Sequence, residues 1–155
     1  MKETLLKIKE RLDAQLPYLP MKNGSERAVY IMTDRVVPEV ADFPAIGLKD
    51  GAVSYELENV SMLDGADYQA TMHIKVTVFV RLYREEDIVT GDGTERGVLD
   101  VAEDVKDALN GYNPAPPGGI PLFIESEEES RILSDDTVLI QTKELTFKRL
   151  KQVPA

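Results

Sequence analysis

The sequence predicts an α+β fold: a mainly antiparallel β-sheet with two helices packed on one face. Three observations lead there. Met72, Ile74, Val76, Val78, Val80 and Leu82 alternate with His73, Lys75, Thr77, Phe79 and Arg81, which is the pattern of a long strand with one face in a core. Two other segments, 3–16 and 95–109, carry apolar residues at helical spacing. The resulting order of helix, strands, helix, strands suits a sheet covered by helices on a single side.

Taken in order, Leu5, Ile8, Leu12, Leu16 and Leu19 trace the apolar stripe of the first helix, with Lys2, Lys7, Lys9, Glu10, Arg11 and Asp13 largely between them. Pro17 stops it, because a proline ring lacks the amide that a continuing helix needs. Ala28 to Thr33 and Ala45 to Lys49 read as short strands. Val53, Tyr55 and Leu57 alternate with Ser54, Glu56 and Glu58, so 53–60 reads as a strand pairing antiparallel with the long one. The turn chemistry of Leu63-Asp64-Gly65-Ala66-Asp67 predicts a projecting loop over 61–68 between them.

Thr90-Gly91-Asp92-Gly93-Thr94 predicts a turn, with Thr94 placed to cap a helix built on Val101, Val105, Ala108 and Leu109. Gly111 is positioned to end that helix near Asn110. The Pro- and Gly-rich run 113–119 predicts a loop. Ile120, Leu122 and Ile124 begin another strand, a turn is expected at Ser134-Asp135-Asp136, and Thr137 to Leu150 closes the fold with Leu139, Gln141, Lys143, Leu145 and Phe147 on one face.

At 155 residues and 43% hydrophobic content the chain is long enough for one core, and a single domain over 1–155 is expected. Twenty-eight acidic against 18 basic residues leave a net charge of -10, which opposes unspecific attraction to phosphate backbones or anionic lipid, so sequence-specific nucleic-acid binding is not expected. No stretch approaches the roughly 20 apolar residues that span a bilayer, and the early charges at Lys2, Glu3 and Lys7 do not suit a signal peptide; a soluble protein that stays where it is made is expected.

The residue types also exclude chemistries. With no cysteine there is no disulfide, thiolate nucleophile or Cys-ligated metal. His73 is the single histidine, and its strand position opposite the aliphatic face suits a half-exposed structural side chain. No Gly-x-Ser-x-Gly elbow surrounds any serine. Residues 87–95 lack the spacing of a calcium loop, and Pro116-Pro117-Gly118-Gly119 lacks the lysine and hydroxyl of a phosphate-cradling loop. No catalytic, cofactor-binding or metal-ligating residue is assigned, no cofactor is called for, and an enzyme is not expected. Two charged groups remain. Arg81, Arg84, Glu85 and Glu86 form a mixed patch suited to subunit pairing. Glu125, Glu127, Glu128 and Glu129 form an acidic run whose usual meaning is a solvated strand end or loop tip, and which also suits a basic partner or a cation.

In element order, length and the texture of Ala70-Thr71-Met72-His73-Ile74-Lys75-Val76-Thr77-Val78-Phe79-Val80-Arg81, together with Phe43-Pro44-Ala45-Ile46-Gly47, the chain resembles the tail terminator proteins of tailed bacteriophages, the minor tail protein U-like family. The resemblance implies a structural assembly protein that forms a ring, usually hexameric, on the tail tube. Its implied partners are further copies of itself, the tail-tube protein and a head-completion protein. Its implied place is the virion tail, after assembly in the bacterial cytoplasm. In such a ring the acids of 125–129 are expected to face the lumen, where they would repel DNA phosphates. Another head-tail connector, a tail-tube-like protein, or a small ligand- or peptide-binding module remain the alternatives.

Overall fold

The computed structural model describes residues 1–22, 24–32, 43–61, 65–81, 90, 96–115, 119–135 and 138–153. Helix α1 runs Lys2–Gln15 and helix α2 Val98–Leu109. The strands are β1 Val29–Ile31, β2 Ala45–Ser61, β3 Gly65–Val80, β4 Phe123–Glu127, β5 Arg131–Asp135 and β6 Val138–Val153. They form a sheet in the order β1-β2-β3-β6-β4, with β5 also paired to β6. Among the described strands only the β1–β2 pair is parallel.

The expected alternation of β3 is present and decides the layering. Ile74, Val76, Val78 and Val80 are buried beneath both helices together with Leu145 and Phe147 of β6, while Leu5, Ile8 and Leu12 of α1 and Val98, Val101 and Val105 of α2 close the core from above. Leu16 and Leu19, just past α1, complete it.

On the reverse face the expectation needs one correction. Phe79 alternates with the aliphatic residues yet is buried, packed with Ala28 and Ala45 and flanked by Tyr30, Met32, Phe43 and Ile140. The parallel β1 brings its own apolar side chains to that end of the sheet, so a second small cluster forms there. Gly47 belongs to it, since a Cβ at this position would run into the Met32 side chain.

The two strands expected at 45–49 and 53–60 are one. Asp50 pairs with Ile74 and Val53 with Met72, so Gly51 and Ala52 together oppose His73 in a bulge. Glycine is required there, because a Cβ at Gly51 would lie 2.8 Å from the His73 carbonyl oxygen and 2.9 Å from its Cβ. The bulge also changes the phase of the alternation. Ile46 and Leu48 face the helices before it, and Val53, Tyr55 and Leu57 do so after it.

Of the projecting loop expected over 61–68, Ser61 and 65–68 are strand: pairing continues to Ser61 opposite Gly65, and Tyr68 pairs with both Leu57 and Val153, while 62–64 lie outside the described residues. Polar and small residues are accommodated because backbone pairing to β2, joined by β6 from Tyr68 onward, satisfies amides that a loop would leave to water.

Helix α2 begins at Val98, three residues later than expected. Asp100 Oδ2 accepts the Gly97 N–H at 3.2 Å, a first-turn carboxylate in the role foreseen for Thr94, which lies outside the described residues with Gly91–Gly93. At its far end Gly111 adopts φ +82, the left-handed conformation that ends helices. The following loop is tied by Asn113, whose side chain donates to Gly119 O at 2.9 Å and accepts the Ala115 N–H at 3.0 Å; 116–118 lie outside the described residues. Strand β5 was not anticipated. Ser134 and Asp135, expected as a turn, pair with Leu139 and Val138 instead. Asp136 lies outside the described residues.

Candidate functional surface

The acidic run lies on the β4 edge of the sheet, and its members have different surroundings. Lys106 Nζ of α2 donates to Glu127 Oε1 at 2.7 Å and to Glu103 Oε1 at 3.0 Å, and Lys143 Nζ is 3.6 Å from Glu127 Oε2. The hydrogen bond from Lys106 holds the Glu127 carboxyl below the ordinary carboxylate range, and the same bond raises Lys106. Glu125 takes up the extra position of a second bulge, between Ile124 and Ser126. From there its Oε2 lies 3.2 Å from His73 Nε2, while His73 Nδ1 is 2.9 Å from Ala52 O. The histidine therefore joins the Gly51 bulge to β4, a structural position in line with its expected half-exposure. Glu128 continues the ladder through its N–H to Glu144 O at 2.9 Å and its carbonyl, which accepts from Lys143 Nζ at 2.9 Å. The carboxylates of Glu128 and Glu129 are exposed, with no ion pair among the described residues.

Arg81 is exposed just past the end of β3, at the opposite end of that strand from the β2–β3 hairpin turn. Its expected companions Arg84, Glu85 and Glu86 lie outside the described residues.

Two features of the surface were not foreseen. Beyond Met72 the helix layer ends while β2 and β3 continue, so Tyr55 (64% exposed), Leu57 (54%) and Tyr68 (40%) stand on the helix-side face with nothing above them among the described residues. The alternation of Tyr55 and Leu57 is legible in the sequence, but not their exposure, and Tyr68 falls in the expected loop. At the base of this hairpin an open cleft of about 770 Å³ lies against the first turns of α1. Lys2, Lys7, Arg149 and Lys151 line it along with Glu3 and Glu10. Arg149 is only 8% exposed, donates from Nε to Ile120 O at 2.9 Å and from Nη1 to the Thr4 hydroxyl at 3.1 Å, and has no carboxylate partner among the described residues. Burial lowers its affinity for the proton, which is the desolvation cost of a cation without a counter-charge.

A third cluster joins the helices. The Tyr18 hydroxyl donates to Asp104 Oδ2 at 2.8 Å, Arg96 Nη1 lies 3.0 Å from the same oxygen, and the Arg96 guanidinium stacks 4.9 Å from the Tyr18 ring. Burial, then the bond to Asp104, pushes the Tyr18 phenol far up, so it stays protonated and acts as a donor that ties the segment following α1 to α2. Among the described residues no three His, Asp or Glu side chains converge as metal ligands, and no helix is long and apolar enough to cross a membrane.

The chain matches no protein-family model and no curated protein by sequence. It is similar in fold to a chain of a solved structure described as the virion of a native gene transfer agent particle, at 14% identity and a TM-score of 0.52, over 96% of this chain and 94% of the other. The shared property is the α+β fold, along nearly the whole of both chains.

Proposed function

We propose that this protein is a structural component of a phage-like particle, and within that class a tail terminator that assembles as a hexameric ring between tail tube and head. The observation that carries the reading is the fold likeness to a virion chain over nearly the full length of both proteins, which makes a shared architecture rather than a shared fragment. The element order that resembles tail terminators supports the finer assignment. The surface supports a binding role over a catalytic one: its charged clusters pin helices and strands, and among the described residues Lys2, Lys151, Glu128 and Glu129, which have no ion pair, are exposed.

In this reading the protein acts through contacts, with itself, with the tube beneath and with a head-completion protein above. The mixed patch at Arg81 is one proposed contact between copies. Light scattering and negative-stain imaging of the purified chain test the ring directly, and gold-labelled antibody on intact particles tests its position. A ring at the head-proximal end of the tail is the expected result. Label along the whole tube would replace the terminator reading with a tube protein, and label inside the head opening would replace it with a connector. A strict monomer that binds no particle component would remove the assembly reading. If Arg81 lies at the contact, Arg81→Glu reduces the ring to smaller species; unchanged size excludes it from the interface.

A further inference from the structure

Two surfaces on different parts of this protein each supply what the other lacks. The first is the hairpin shelf, where Tyr55, Leu57 and Tyr68 are exposed, together with the cleft at its base. In that cleft Lys2, Lys7, Arg149 and Lys151 outnumber Glu3 and Glu10, a local reversal of sign in a chain whose net charge is -10. Lys7 is already paired, 3.5 Å from Glu10, whereas Lys2 and Lys151 have no ion pair among the described residues. The second surface is the outer edge made by β4 and β5. Phe123, opposite Lys148 and His73, is 45% exposed on the reverse face there, Ile132, opposite Gln141 and Val80, is 56% exposed on the helix-side face, and the exposed acids Glu128 and Glu129 lie between them in the chain.

Resting on the ring reading above, we propose that the β4–β5 edge of one copy docks on the hairpin shelf and basic cleft of the next. The edge enters the shelf with an apolar side chain on either face, and the free acids of one copy reach the cations of the other. The two surfaces differ, so the contact is head to tail, and such contacts generate a closed ring when the rotation between copies closes. Pairing either surface with itself would set acid against acid or base against base, which opposes a two-fold dimer.

The acids have a plainer use, since charges on an open edge discourage strands of other molecules from adding to it. That use leaves the exposed shelf and the surplus of cations in the cleft without a role, whereas docking employs acids, shelf and cations together. It also differs from a lumen position for the acids: in the docked ring Glu128 and Glu129 are covered.

Carbodiimide cross-linking of a mixture of ¹⁴N- and ¹⁵N-labelled chains, read by mass spectrometry, tests the contact in the unaltered protein. Mixed-isotope links joining Lys2, Lys7 or Lys151 to Glu128 or Glu129 are expected. Glu128→Lys with Glu129→Lys should dissociate the ring, as should Lys2→Glu with Lys151→Glu. An equimolar mixture of those two variants should restore rings in which they alternate, because the reversed edge of one fits the reversed cleft of the other while the two unaltered surfaces still match. Rings whose mixed links fall elsewhere, and whose size survives both reversals, would discard this contact and leave the ring reading standing. Absence of any mixed link in a protein that stays monomeric would remove the ring reading, and this contact with it.

Discussion

Strands β2 and β3 pass through two environments with one pattern of side chains. Between Met72 and Val80 the helix-side residues of β3 lie under α1 and α2 and are sealed from water. Beyond Met72 the same face carries Tyr55, Leu57 and Tyr68, and these are exposed. The pairing to β6 continues across both halves, so backbone hydrogen bonding does not distinguish them. What differs is cover. Alternation thus specifies which side chains share a face, and the helices decide how much burial that face contributes.

The difference is broken most severely in the covered half. Ile74→Ala removes a fully buried side chain between two paired strands and two helices, and should cost about 2–5 kcal/mol in urea unfolding. Leu57→Ala on the uncovered hairpin should change stability by no more than about 0.5 kcal/mol. If the two costs prove similar in the isolated chain, something already covers the hairpin and the contrast fails.

At the boundary stands Arg149, half in the core and half in the cleft. Its alanine variant strips a donor from Ile120 O and from the Thr4 hydroxyl and should cost about 2 kcal/mol. Arg149→Met keeps the volume, removes the desolvated charge, and should recover most of that loss. A methionine variant as unstable as the alanine one would show that the hydrogen bonds, rather than packing, hold this corner together.

Gly51 marks the change of phase between the halves, and Gly51→Ala sharpens the comparison further. The added Cβ meets the backbone of His73, which cannot swing aside as a side-chain tip would. A loss of about 1–2 kcal/mol is expected, with faster amide exchange in the hairpin than in the core part of β3. Equal acceleration along all of β3 would mean that the two halves unfold together.

The long strand, both helices and the layer order were legible because their periodicities are imposed by burial on one face, and burial of that kind leaves its period in the sequence. The bulge was hidden: Asp50-Gly51-Ala52 reads as a break between strands, since glycine signals turns and bulges alike. Phe79 lies on the reverse face as the alternation predicts, and its burial is not visible in the sequence because its cover comes from the distant β1 segment and Ala45. β5 escaped because its five residues are too few for a pattern and its identity depends on β6 beside it. Of the candidate surface, the acids were visible as a run, yet their division into Glu127, bonded to Lys106, and Glu128 and Glu129, left open, depends on residues of α2 far away in the chain. The cleft was invisible, being assembled from α1 and the end of β6.

A smaller loss than those at Ile74, Arg149 and Gly51 is expected at the rim of the covered half, where Glu127 fastens the edge strand to α2. Its carboxyl is held down by Lys106, so the stabilisation it contributes is complete above the unfolded carboxylate value, about 4.3, and is lost as the pH falls through the lower folded value. Lys106 is raised, so its share is complete below the unfolded value, about 10.4, and is lost as the pH rises through the higher folded one. The pair therefore acts at full strength from about pH 5 to pH 10. Because both side chains retain some exposure, Glu127→Gln should cost only about 0.5–1 kcal/mol at pH 7. That gap between the two proteins should narrow as the pH is taken below about 4, since the wild-type carboxyl is then neutralised as well. Hydrogen exchange should register the change in β4 and the last turn of α2 and leave the hairpin amides untouched. A response that spread into the hairpin would mean that the uncovered half takes its order from the rim, which would reverse the direction of dependence between the two regions.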